Sequence, residues 1–328
     1  MALFAIVIAL LLEQVRPLTP GSPITVGLRH WARAVGRNVD AGGAQHGWLA
    51  WALAAALPAL AAALVYALLG WLGGWPLELL WSVFILYITL GFRQFSDRFT
   101  SVHRALDAGD EDRARSLLAR WQQVGVATLP RGEIARHAIE YSVLAAHRQV
   151  FGVLVWFCVL SILGLGPAGA VFYRCAAFAL RYWRCKSQTA DQPVSPALVR
   201  VAEQAWRVVN WLPARCTALG FAVVGSFEDA VDVWRNHAAR FADPNDGVVL
   251  AATAGALGVR LGDAAALKPL ASGLMGQPIT DGASLAGEGL PGQPPGAAHL
   301  AQVIGLLWRM LALWLLLLVL LTLARVMG

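Results

Sequence analysis

Charge is scarce in this chain, and lysine above all: charged residues make up 14% of the 328 residues, and Lys186 and Lys268 are the only lysines. Soluble domains carry about 25% charged residues, so the deficit points to lipid rather than water as the solvent for much of the surface. Cysteine is sparse as well. Cys158, Cys175, Cys185 and Cys216 show no CxxC spacing and lie in or beside apolar runs, as small buried hydrophobes do, and no metal site is expected. His30, His46, His103, His137, His237 and His299 lack the spacing of paired metal ligands, and no HExxH, nucleophile elbow or Walker loop occurs. Alternation of period two never persists beyond a few residues, which excludes a sheet and leaves an all-α fold. The net charge of +6 comes almost wholly from arginine. In a membrane protein arginine first reports topology, and no nucleic-acid partner is expected.

What the chain has instead is hydrophobic length, with 58% hydrophobic residues gathered in runs at 48–71, 77–92, 150–180 in two parts, and 303–326. A hydrocarbon core needs about 20 helical residues. The stretch 311–323 holds no charge and is bracketed by Arg309 and Arg325, which makes it the cleanest span. Residues 1–12 are apolar but open without a basic region and run into Glu13, Gln14 and Arg16 rather than a cleavage site. They fit a short first span or an interfacial anchor better than a removable signal peptide.

The arginines fix an orientation. Arg16, Arg29, Arg33 and Arg37 fill the first loop, nine arginines fill residues 93–148, and Arg181, Arg184 and Lys186 follow the fifth apolar run, whereas the connectors at 73–76 and 164–169 carry no basic residue. The positive-inside rule then puts the loops 13–47, 93–148 and 184–302 in the cytoplasm. Arg174 falls inside an apolar run with no acidic partner evident, and snorkelling accommodates it and Arg325. The expected architecture is an all-α, polytopic helical membrane protein with cytoplasmic helical loops, in the inner (plasma) membrane of a bacterium. Its parts are membrane spans over 1–92, a helical hairpin over 93–148, paired spans over 149–183, a membrane-edge helical region over 184–275, a flexible Gly/Pro-rich linker over 276–300 and a last span over 301–328.

Within the hairpin, helical spacing runs through Val102, Ala105 and Leu106, breaks at 107–110 and resumes at Ala114, Leu117, Leu118 and Trp121, with Asp107 or Asp110 as the cap. It serves either as a solvated scaffold or as a partner-binding surface. Two later segments carry polar or glycine residues in informative places. In NWLPAR, Asn210 and Pro213 precede Arg215 at the entrance to an apolar run, where an arginine holds either an anion such as phosphate or lipid headgroups. Glu203 and Arg207 stand one helical turn apart, a spacing at which a simple ion pair is one reading. In AATAGALGVRLGD, at 251–263, Gly255, Gly258 and Gly262 serve either close helix packing or a phosphate cradle. Glu140, Arg93 and Asp97 lie at the ends of apolar runs, where anchoring competes with site formation.

Taken together, EYSVLAAHRQVFGVLVWF at 140–157, VVNWLPARCTAL at 208–219 and ATAGALGVRLGD at 252–263 resemble the CobD/CbiB family of cobalamin-biosynthesis membrane proteins. The resemblance implies an adenosylcobinamide-phosphate synthase. Such an amide-forming ligase joins an aminopropanol or its phosphate to a carboxylate of an adenosylated corrin, with the corrinoid as substrate and ATP and Mg as cofactors. On that reading Arg215, Asn210, Glu140, Arg93 and Asp97 are the catalytic candidates, and Gly255, Gly258, Gly262 and Arg260 bind the phosphate. The acidic motifs of amide-forming members are thinned here. GFRQ at 91–94 stands in place of GRD, FALRYW at 178–183 in place of an NTLDSMVGY-like stretch, and Glu203 or Gln204 in place of an acidic pair. The central part, with His147 and Arg148 before the fourth span and a Gly166, Pro167 turn after it, is similar to the AmpE type. That similarity implies instead an inactive membrane sensor or platform for a cytoplasmic protein partner. Membrane lipids are partners on either reading, and self-association into a homo-oligomer is left open.

Overall fold

The computed structural model describes residues 2–15, 23–122, 131–187, 194–262 and 291–327, and these form an all-α membrane protein. In chain order the helices are α1 (Ala2–Val15), α2 (Pro23–Val39), α3 (Ala44–Gly73), α4 (Trp75–Thr89), α5 (Phe92–Asp107), α6 (Glu111–Gln122) and α7 (Arg131–Ala146). There follow α8 (Gly152–Ile162), α9 (Ala168–Ser187), α10 (Pro196–Val209), α11 (Trp211–Val224), α12 (Phe227–His237), α13 (Pro244–Leu257) and α14 (Ala297–Met327). Among the described residues the only extended pairing is a single bridge between Val259 and Gln293.

Among the described residues three helices are long and apolar enough to cross a membrane: Ala44–Gly73, Arg131–Ile162 and Ala297–Ala324. The second runs through α7 into α8. Helix α8 alone has 11 residues, and a π turn at His147–Phe151 joins it to α7 in one 32-residue helix. Helix α3 shows how sequence meets bilayer. Trp48 and Trp51 meet edge to face near its start, Trp71 and Trp75 are exposed around its end, and Leu57, Leu60, Leu64 and Leu68 are exposed between. At 1.5 Å per residue the two aromatic levels lie about 35 Å apart, which brackets a hydrocarbon core of about 30 Å.

The chain divides into two compact units, one made of Met1–Arg93 with Arg148–Pro213 and the other of Gln94–His147 with Ala214–Gly328. In the first unit α3 packs on α9, α10, α4 and α2, and α1 packs on α4. Helix α10 starts where the Ser195 hydroxyl accepts the Leu198 N–H at 3.1 Å, followed by Pro196 in the first turn. One polar pairing crosses between helices. Glu203 pairs with Arg184 at 2.8 Å, across from α10 to α9, rather than along its own helix with Arg207.

In the second unit α7 packs on α6, α13 and α14, and α12 lies along α13. Asp110 supplies the cap of α6, its carboxylate accepting the Arg113 N–H at 3.0 Å. The C-terminal end of α11 is closed by Arg309 of α14, which donates to the Val224 carbonyl at 3.1 Å. Residues 276–290 of the expected linker lie outside the described residues. Beyond them the chain is tied down: Arg260 N–H donates to Gln293 O at 2.9 Å, Gln293 N–H donates to Gly258 O at 2.8 Å, and α14 begins at Ala297, ahead of the expected 301.

Candidate functional site

The polar residues of the second unit gather around α13. Asp243 and Pro244 start this helix as an N-cap followed by a proline, the Asp243 carboxylate accepting the Asn245 N–H at 2.8 Å and the Asp246 N–H at 3.2 Å. The side chains of Asn245 and Asp246 are thereby placed inside the unit, 3% and 5% exposed. Arg215, half-buried on α11, donates to Asn245 Oδ1 at 3.2 Å. Two residues further along α11, Thr217 lies 2.9 Å from His147 Nδ1, both side chains fully buried.

At the other end of α13 the backbone reverses through Gly258, in the left-handed region at φ 64° and ψ 30°. Gly262, also at positive φ, donates its N–H to Glu140 Oε1 of α7 at 2.7 Å. The second Glu140 oxygen is 3.9 Å from His137 Nδ1, and one turn back Arg136, 1% exposed, is paired with Glu133. A guanidinium this deeply placed is costly unless paired, and Glu133 pairs with Arg136 at helical spacing.

Glu140 and Gly262 meet directly, and Arg215 reaches the start of α13. Gly255 is taken up by packing: a Cβ there would stand 2.3 Å from the Asp229 carbonyl oxygen of α12. Arg260 is exposed and donates to the Gly292 carbonyl at 3.4 Å. Asp97 is exposed on α5, and the side chain of Arg93 lies outside the described residues, as does Asp263. Asn210 belongs to the first unit, fully buried, where its Oδ1 accepts the Tyr173 hydroxyl at 2.8 Å. Tyr173 in turn occupies the space above Gly152, 2.3 Å from where a Cβ would be. Sequence reading missed Asn245, Asp246 and Tyr173. The Asp243, Pro244 helix start was a legible pointer to the first two, but nothing local marks Tyr173.

An all-α membrane protein with a carboxylate and an arginine set at the two ends of a buried, glycine-ended helix is the class that fold and site define. A sequence profile described as CobD/Cbib protein matches residues 3–268, and the chain belongs to that family. It is 31% identical over 291 residues, covering 88% of this chain and 85% of the relative, to the cobalamin biosynthesis protein CobD of Stutzerimonas stutzeri. It is 33% identical over 268 residues, 79% of this chain and 80% of the relative, to the protein of the same name from Chromobacterium violaceum. A third, from Desulfotalea psychrophila, is 28% identical over 190 residues, 55% of this chain and 58% of the relative. No solved structure matches.

Proposed function

We propose that this protein acts in cobalamin biosynthesis, joining an aminopropanol or its phosphate to a carboxylate side chain of an adenosylated corrin. The observation that carries the reading is the bond between Glu140 and Gly262, which ties the EYS segment of α7 to the end of the AGALGVRLG segment 122 residues away. Those are two of the three segments on which the resemblance to the family rests, and the third supplies Arg215 at the other end of α13. Arg215 donates to the neutral amide of Asn245 at 3.2 Å, and a guanidinium at this place suits an anionic group of the substrate. Orientation follows from the arginines: a multi-pass protein of the bacterial inner membrane with the arginine-rich loops in the cytoplasm.

ATP and magnesium would supply carboxylate activation in such a reaction. The residues do not fit a magnesium held by protein alone. Among the described residues no three His, Cys, Asp or Glu side chains gather around one point, Glu133 is paired with Arg136, and Glu140 accepts from Gly262. No step is routed through a metal here. The thin carboxylate set also favours a second reading, an AmpE-like platform that retains the scaffold and binds a protein partner through the α5–α6 segment.

The test is spectroscopic titration of the purified protein in nanodiscs with an adenosylated corrin precursor, wild type against Arg215→Ala. Saturable binding, weakened at least tenfold by the substitution, is expected. A well-folded wild type that leaves the corrin spectrum unchanged at high micromolar protein would overturn the enzyme reading in favour of the platform.

A further inference from the structure

The residues expected as a cytoplasmic loop over 13–47 contain a helix with a one-sided charge pattern. Helix α2 carries Arg29, Arg33 and Arg37 at i, i+4 and i+8, all exposed, and holds no acidic residue. Successive fourth residues drift by about 40°, so the three form a stripe about 12 Å long on one flank. The adjoining flank is committed to the protein. Ala32 and Val35 are buried, Trp183 of α9 donates its indole N–H to the Ala32 carbonyl at 3.2 Å, and its indole nitrogen would stand 3.2 Å from a Cβ on Gly36.

The helix also sits at a defined depth. Only residues 40–43 separate it from the start of α3, a candidate span with Trp48 and Trp51 in its first two turns. Its partner on the other side is the last turn of α9, which holds Arg184 and Lys186. Ends of spans marked by tryptophan and basic residues lie at headgroup level. The nearest carboxylate along the chain, Asp40, is taken up by Ser195, whose hydroxyl and N–H it accepts at 2.6 Å and 2.9 Å. Of the three arginines, Arg33 donates to the Tyr182 hydroxyl at 3.3 Å, a neutral acceptor. No ion pair within the described residues involves Arg29, Arg33 or Arg37.

We infer that this stripe on α2 is a binding site for anionic phospholipid headgroups at the arginine-rich side of the membrane. Charge complementarity and depth argue for it together: an unneutralised row of guanidiniums at headgroup level attracts phosphodiester anions, and bidentate bonding suits them.

The test uses the full chain in detergent, stripped of lipid and titrated with phosphatidylglycerol or phosphatidylcholine, with bound lipid counted by native mass spectrometry. Wild type is expected to retain phosphatidylglycerol in preference, and Arg29→Gln/Arg37→Gln to bind it roughly fivefold more weakly per arginine removed. Both residues are exposed, so the double variant keeps its fold, and Arg29→Lys/Arg37→Lys should keep most of the preference. Arg235→Gln, on α12, should change nothing. Equal retention of the two lipids by wild type would overturn the inference, as would an unaltered preference in the double glutamine variant. Displacement of the lipid by excess soluble glycerol phosphate would overturn the assignment to a membrane lipid.

Discussion

Glu140 and Gly262 are joined by a 2.7 Å hydrogen bond in which a carboxylate oxygen accepts a backbone N–H. The bond fixes the chain just after α13 against α7, at the point where Gly258 has already turned the backbone back on itself. A carboxylate committed in this way is a poor free base or metal ligand while the bond stands. It is a good positioning group for the segment it holds.

Glu140→Ala is therefore expected to destabilise the protein by about 2 kcal/mol, the value of a charge-assisted bond with a backbone donor left unsatisfied. Glu140→Gln retains an acceptor oxygen and should lose less than half of that. Denaturant unfolding in detergent, followed by tryptophan fluorescence, gives both numbers. If the glutamine variant is as stable as wild type yet binds no corrin, the negative charge itself is needed at the site.

The glycines of the 255–262 segment separate into different jobs. Gly255→Ala pushes a methyl group to 2.3 Å from the Asp229 carbonyl oxygen, so α12 and α13 must move apart, at a cost of about 1–3 kcal/mol. Gly258→Ala meets no atom within 4 Å and suffers only the left-handed backbone, about 1–2 kcal/mol. Thermal unfolding should rank Gly255→Ala as the more damaging. A Gly255→Ala protein with unchanged stability and abolished ligand binding would instead speak for a phosphate cradle at that position.

What the sequence disclosed and what it concealed divide by range. The apolar run at 48–71 lies within α3, and the break at 107–110 with its Asp110 cap is where α5 gives way to α6, because hydrophobic length and capping are local properties. Pairings across the fold were not legible. Glu203 has an arginine one turn away on α10 and an equally suitable one on α9, and only packing decides for Arg184. Arg215 and Glu140 were picked out by motif, but that one meets α13 near its start and the other just beyond its end follows from how α7, α11 and α13 pack. Asn210 stood five residues from Arg215 in the same motif and yet is bonded within the other unit.

Asn210 is expected to behave as a structural residue. Tyr173→Phe leaves its Oδ1 buried without the hydroxyl donor, at a cost of about 1–3 kcal/mol, and Asn210→Ala should cost a similar amount. Because the two side chains share one bond, the double variant should be more stable than the sum of the single losses implies, by about 1 kcal/mol. Strict additivity in unfolding measurements would show that the pair does not act as a unit.

The proposed orientation can be read with cysteine labelling on either side of α3. With the four native cysteines replaced, Ala41→Cys falls in the exposed connection before α3, and Trp75→Cys falls at an exposed position just after its end. Their separation along a helix of 30 residues exceeds the thickness of a hydrocarbon core, so a spanning α3 puts them on opposite sides. On the proposed orientation the first of these is cytoplasmic. A membrane-impermeant maleimide added to spheroplasts should label Trp75→Cys at once and Ala41→Cys only after permeabilisation. The reverse pattern would invert the topology and put Arg29, Arg33 and Arg37 outside. Labelling of both without permeabilisation would mean that α3 does not cross.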